Sequence, residues 1–233
     1  MDLSVVIPAL NEERTVHLCV SKALDALSAM DNVRGEVIVV DNGSEDGTSE
    51  AAARAGARVI REPVRGYGSA LMAGFEAARG RYILMADADD SYDLGNIRPF
   101  WEKLMEGEEF VIGNRFRGTI ENGAMPFLHR YLGTPFLTAA VNFFFKAGIG
   151  DTNCGMRAMT REACLKIKPR AEAMEFAIEQ VIRAALLDLR IAEVPCNLNR
   201  DKRERPPHLK TWKDGWRYLC CTLSMAFSSH ARG

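Results

Sequence analysis

Strand-like and helix-like segments alternate through the N-terminal half of the chain, and this alternation limits the folds open to it more than any other feature. Residues 3–7 (LSVVI), 36–40 (EVIVV), 58–60 (RVI) and 82–86 (YILMA) are short apolar runs, which is how strands buried on both faces read. Between the first two, residues 12–28 carry Val16, Val20, Ala23, Leu24 and Leu27 at helical spacing. Ser44 or Asp46 can cap a second helix running to residue 55, and residues 66–80 supply a third. Such alternation predicts an α/β fold with a mainly parallel sheet flanked by helices. Polar ligand sites in such sheets gather beyond the carboxyl ends of the strands. Here those ends carry residues 8–12, 41–44, 62–68 and 87–93.

The second half is less regular. It offers a strand at 109–112, an aromatic helix near 135–146, a loop at 150–157, a helix at 171–187 and a strand at 190–194, followed by a tail rich in Lys and Arg from residue 199. No repeat or linker divides the sequence, so it reads as one domain over residues 1–199 with a basic and aromatic extension over 200–233. A composition of 47% apolar and 26% charged residues with a net charge of −1 excludes a disordered chain and a surface built to coat nucleic acid. The six cysteines form no C-x-x-C pair, which predicts reduced thiols and a cytosolic setting. The first residues lack the basic and apolar regions of a signal peptide. No run reaches the roughly 18 apolar residues of a membrane span.

Several strand-end segments carry chemistry. Asp87, Ala88 and Asp89, followed by Asp90, put two carboxylates on one side of an extended segment. Such a pair is either an acidic helix cap or a site for a hard divalent cation completed by substrate phosphates. Pro8, Ala9, Asn11 and Glu12 follow the first strand where a dinucleotide-binding fold has its glycine-rich turn, and neither that turn nor a P-loop occurs. Asn11 and Glu12 are equally readable as helix caps, and Asp41 as an Asx turn with Gly43. Arg65 and Gly66 bring a cation and bare backbone to the same rim. His129, His208 and His230 have no ligand-like spacing and read as structural or surface residues.

Taken together, residues 5–13 (VVIPALNEE), 41–48 (DNGSEDGT), 65–74 (RGYGSALMAG) and 87–93 (DADDSYD) resemble, in order and spacing, the family 2 inverting glycosyltransferases of the GT-A fold. Residues 113–117 (GNRFR), 150–157 (GDTNCGMR) and 193–200 (EVPCNLNR) resemble more loosely the branch that glycosylates polyprenyl phosphates, the dolichyl-phosphate mannose and glucose synthases. The resemblance implies a nucleotide-sugar half at about 1–115 and an acceptor half at about 116–199. It implies that Pro8, Ala9, Asn11, Glu12, Arg65 and Gly66 meet the nucleotide sugar, with Asp41 at the base. Asp87 and Asp89 would hold Mg²⁺ or Mn²⁺ against the diphosphate; where many relatives carry a Gln two residues after the second Asp, this chain has Ser91. Arg115, Arg130, Arg200 and Arg203 would face phosphate, and Asp151 is the acidic residue of the acceptor loop.

The expected reaction is inverting transfer of a hexose from a UDP- or GDP-sugar to a polyprenyl or dolichyl phosphate, with Asp89, Arg115 and Asp151 in the catalytic set. A soluble or saccharide acceptor, or a silent nucleotide-sugar-binding module, are the alternatives. An ionised phosphate needs little help from a base, whereas an alcohol acceptor would call on Asp151. A lipid acceptor calls for peripheral contact with the cytosolic face of a membrane, or for a membrane partner protein. Residues 125–146, with Phe143, Phe144 and Phe145, and residues 210–227 combine aromatic rings with cations as such a contact requires. A buried helix is the plainer reading of the first.

Overall fold

A computed structural model describes residues 1–202 and 211–230, with side chains in the second stretch from 215 to 227. Its centre is a seven-stranded sheet of order β3-β2-β1-β4-β6-β5-β7. The four expected N-terminal strands are β1 (Leu3–Ala9), β2 (Gly35–Asp41), β3 (Arg58–Arg61) and β4 (Tyr82–Met85), all parallel. Helices α1 (Val16–Ser28), α2 (Thr48–Arg54) and α3 (Tyr67–Ala77) connect them. Val5, Val6 and Ile7 of β1 are completely buried, as a central strand covered on both faces demands. Each contributes about 1.5–3 kcal/mol of burial.

Polar groups tie the sheet's lower edge. The Ser4 hydroxyl donates to Glu36 Oε1 at 2.8 Å and accepts from the Gly80 amide at 2.8 Å, joining β1, β2 and the turn before β4. Burial raises the Glu36 pKa, but hydrogen bonds from Arg58, Ser4 and the Arg79 amide outweigh it and hold the carboxyl below its usual range.

The rest of the sheet is β5 (Phe110–Asn114), β6 (Arg157–Thr160) and β7 (Ile191–Pro195). Strand β6 lies antiparallel between β4 and β5, while β7 runs parallel to β5. Sequence patterning does not announce β6, because RAMT is short and opens on an arginine. It also misses α4 (Arg98–Met105) and α6 (Arg161–Ile167), each with only two buried side chains to mark a period. The helix expected from residue 12 starts at Val16, because Asn11 sits in the left-handed region at φ 56° and a turn on the Glu12 carbonyl precedes the helix.

Over the carboxyl end of the sheet, one π-helical turn (His129–Gly133) runs into α5 (Thr134–Phe145). Helix α7 (Phe176–Leu186) begins five residues later than its expected start at 171. Within the extension drawn from residue 200, α8 (Thr211–His230) packs against α5 and α7 and buries Tyr218, Thr222 and Ala226. Arg203 and the rest of 203–210 lie outside the described residues.

Candidate active site

A cavity of about 1210 Å³ opens beyond the carboxyl ends of β1 and β4, and both Asp87 and Asp89 line it. Asp87 Oδ1 accepts a hydrogen bond from the Tyr67 hydroxyl at 3.1 Å. Burial, and then the Asp87 charge, push the Tyr67 pKa well above its usual value, so the phenol stays a donor. On its other side Asp87 packs against bare backbone: a Cβ on Gly155 would fall 2.5 Å from Asp87 Oδ2 and 3.1 Å from the Tyr92 ring. Buried Arg157 fixes that loop by donating to the Cys154 carbonyl at 2.9 Å and the Thr152 carbonyl at 3.0 Å. In the sequence Arg157 only closes the 150–157 segment, with nothing to mark it as the residue that holds the loop.

Asp89 Oδ1 accepts from the Ser91 amide at 2.9 Å and hydroxyl at 2.6 Å. Ser91 therefore turns Asp89 with its hydroxyl. Two carboxylates on one wall suit a hard divalent cation that takes its remaining ligands from phosphate and water. Among the described residues no group of three His, Cys, Asp or Glu side chains could hold a metal by itself. The residues thus fit a cation that arrives with a diphosphate.

Pro8, Ala9, Glu12, Arg65 and Gly66 line the same cavity. Asn11 does not. Its Oδ1 accepts from the Glu45 amide at 2.7 Å and its own amide donates to Ser44 Oγ at 2.9 Å, so it clamps the β1–α1 turn to the loop after β2. Asp41 is also displaced from its expected place: it lines a separate recess of about 270 Å³. Burial raises its pKa, but hydrogen bonds from Ser49 and Ser44 outweigh this and keep the carboxyl low. The next residue, Asn42, reaches the main cavity instead, braced by the Val64 carbonyl at 2.8 Å and the Gly66 amide at 2.7 Å. Successive side chains at a strand end point opposite ways, which explains the exchange.

On the far wall Arg115 opens the loop after β5 and faces the cavity. Its Nε and Nη2 donate to Asp151 at 2.7 and 2.8 Å, and its amide donates to the same carboxylate at 3.1 Å. Asp151 is fully buried and also accepts from the Asn153 amide, so it lies behind Arg115 rather than on the cavity wall. This arrangement removes it from the position a general base needs. Arg130 is corrected as well: it is not among the lining residues, and its guanidinium lies 5.5 Å from the Tyr131 ring centre. The preceding residue, His129, lines the cavity from the π-helical turn. Burial and the nearby Arg115 charge push its pKa below the usual imidazole value. Such single π turns recur at functional sites, and the sequence's only hint is a polar residue opening an aromatic helix. Arg200 lines the cavity, with its amide donating to Glu121 at 2.7 Å.

Past Arg115 and His129 the wall turns apolar. Leu128, Leu132 and Phe136 from the π turn and α5 face Met174, Trp216 and Leu219, the last two from α8.

The glycosyl transferase family 2 model matches residues 4–167. The low-salt glycan biosynthesis hexosyltransferase Agl6 of Haloferax volcanii is 39% identical over 218 residues, covering 93% of this chain and 52% of that protein. The chain thus spans about half the length of that relative. A dolichyl-phosphate hexose transferase of the same organism is 34% identical, over 83% of this chain and 81% of its own. Among solved structures, glucosyl-3-phosphoglycerate synthase from Mycobacterium tuberculosis, in complex with Mn²⁺, uridine diphosphate and glucosyl-3-phosphoglycerate, superposes with a TM-score of 0.72 at 27% identity, covering 96% of this chain and 79% of that one. With its acidic pair at the end of β4, its mostly parallel sheet and a family match over most of its length, the chain belongs to glycosyl transferase family 2 and is a glycosyltransferase of the GT-A fold.

Proposed function

We propose that the protein transfers a hexose from a nucleoside-diphosphate sugar to a polyprenyl phosphate. The observation that carries this reading is one continuous cavity, acidic at Asp87 and Asp89, cationic at Arg115 and apolar between α5 and α8. An anionic donor, a phosphate head and a hydrocarbon tail match these three zones in turn. The relative named as a dolichyl-phosphate hexose transferase supports the acceptor class, and the synthase bound to Mn²⁺ and uridine diphosphate supports the donor and the ion.

Asp87 and Asp89 would hold Mg²⁺ or Mn²⁺, which when bound would supply neutralisation of charge on the diphosphate leaving group. Pro8, Ala9, Glu12 and Asn42 bound the nucleoside, and Arg65 and Gly66 close its rim. Arg115 directs its guanidinium to the acceptor phosphate, and Asp151 fixes that guanidinium from behind. The acceptor oxygen is already ionised near neutral pH, so attack on the anomeric carbon opposite the leaving group requires no protein base. The anomeric configuration inverts.

Among the described residues no helix is long and apolar enough to cross a membrane. Peripheral contact is carried by Phe127, Tyr131, Phe136, Phe143, Trp216 and Phe227, exposed large apolar side chains of which Phe136 and Trp216 line the cavity.

The test is incubation with labelled UDP- and GDP-hexoses, Mn²⁺ and a short polyprenyl phosphate in detergent, with 3-phosphoglycerate in a parallel reaction. Label in the organic phase is expected. Label only in a water-soluble glycoside would replace the lipid acceptor with a soluble one.

A further inference from the structure

Asp90, next to the proposed metal pair, is a buried carboxylate with two cationic partners. It is 1% exposed, adopts a left-handed backbone (φ 59°) and receives two ammonium groups at 2.6 Å, Lys22 on Oδ1 and Lys202 on Oδ2. Lys22 belongs to α1. Lys202 ends a segment, 199–202, that contributes Asn199, Arg200 and Asp201 to the cavity wall. Two backbone bonds run parallel to the ion pair: the Asn199 amide donates to the Ser91 carbonyl at 2.8 Å, and the Lys202 amide to the Asp89 carbonyl at 3.4 Å. The loop bearing Asp89 and the wall bearing Arg200 are therefore joined at three places within four residues, and Asp90 is the charged one.

We propose that the Asp90–Lys202 ion pair is a positioning device for the cation–diphosphate site. It sets the Asp89 loop and Arg200 at a fixed separation, while Lys22 anchors the same carboxylate to α1. The inference rests on the reading of Asp87 and Asp89 as cation ligands. Two cations on Asp90 also remove it from competition for the ion, leaving Asp87 and Asp89 as the pair on the wall.

Electrostatics alone makes the opposite prediction for one variant, which gives a clean test. Lys202 is 55% exposed on its side chain, so Lys202→Met leaves the core intact. Deleting a positive charge near a cation site should tighten Mn²⁺ binding if charge is all that matters. If Lys202 positions the loop, Mn²⁺ binding should weaken.

The measurement is free Mn²⁺ by electron paramagnetic resonance, titrated in the presence of UDP and, separately, GDP. Lys202→Met is expected to raise the Mn²⁺ dissociation constant about tenfold, and Asp90→Asn to do the same. The double variant should be no worse than Asp90→Asn alone, because that substitution already removes the link Lys202 makes. Lys202→Met that binds Mn²⁺ as tightly as wild type, or more tightly, overturns the proposal. So does a double variant whose losses multiply, which would mean independent contacts with the diphosphate. Wild-type protein that takes up no Mn²⁺ with either nucleotide overturns the parent reading and this inference with it.

Discussion

Arg115 and Asp151 meet edge to edge, guanidinium Nε and Nη2 against the two carboxylate oxygens at 2.7 and 2.8 Å, with Asp151 completely buried. A buried pair of this geometry fixes the cation's plane, and losing one partner leaves an unpaired charge at a cost of about 3–5 kcal/mol. Asp151→Asn is therefore expected to lower Tm by several degrees and kcat by at least about a hundredfold, while donor-nucleotide binding survives. Thermal denaturation and nucleotide titration on the same sample check this. Full stability with activity lost only on alcohol acceptors would restore Asp151 as a base.

The acidic pair gives the second prediction. Asp89→Asn keeps an oxygen for the Ser91 amide and hydroxyl but removes the charge that a divalent ion needs. Turnover should fall below about a thousandth of wild type, with Tm within a few degrees. EDTA should silence the wild type, and Mn²⁺ or Mg²⁺ should restore it. Full activity after chelation would falsify the metal role.

His129 supplies a pH signature. Burial, and then Arg115, depress its pKa below the ordinary 6.5, so as pH falls the unfolded chain takes up this proton before the folded one. Its contribution to stability is complete above about pH 6.5 and is lost as pH falls through the lower, folded-state value. The depressed carboxyl of Glu36 behaves alike but acts only below its own ordinary 4.5. Tm measured from about pH 7.5 to pH 5 should decline in wild type and decline less in His129→Gln. Parallel curves would mean that the imidazole is not held neutral by the fold.

Membrane contact gives the fourth. The run Phe143–Phe145 is not one apolar face: Phe143 is 79% exposed whereas Phe145 is 8% exposed and packs into the core. Replacing all three would test folding, not binding. Phe127→Ser with Phe143→Ser is the informative variant, since both rings are exposed. Wild type should sediment with anionic vesicles at low salt and release at high salt, and the variant should bind several-fold less. Wild type that stays in the supernatant at low salt removes direct bilayer contact.

Much of the sheet and of the cavity rim above it is legible because parallel strands buried on both faces are written in nearly continuous apolar runs, as β1, β2 and β4 are. Their ends then nominate Pro8, Glu12 and Asp87 without further information. Which way a side chain points beyond a strand end is set by loop hydrogen bonds of long sequence separation. Asn11 and Asp41 accordingly stand off the main cavity wall, and Asn42 stands on it. Helix α8 was hidden for a different reason. Its buried stripe at Tyr218, Thr222 and Ala226 is polar or small at every step, so no apolar period marks it. Only packing against α5 and α7 reveals the helix as a wall of the cavity.

The missing side chain at Gly155 sets a limit on substitution beside the acidic pair. A β-carbon there would stand 2.5 Å from Asp87 Oδ2, so any larger residue at position 155 requires that carboxylate to shift, and the hydrogen bond from Tyr67 with it. How much side chain the loop tolerates at this point is therefore set by the acidic residue it faces.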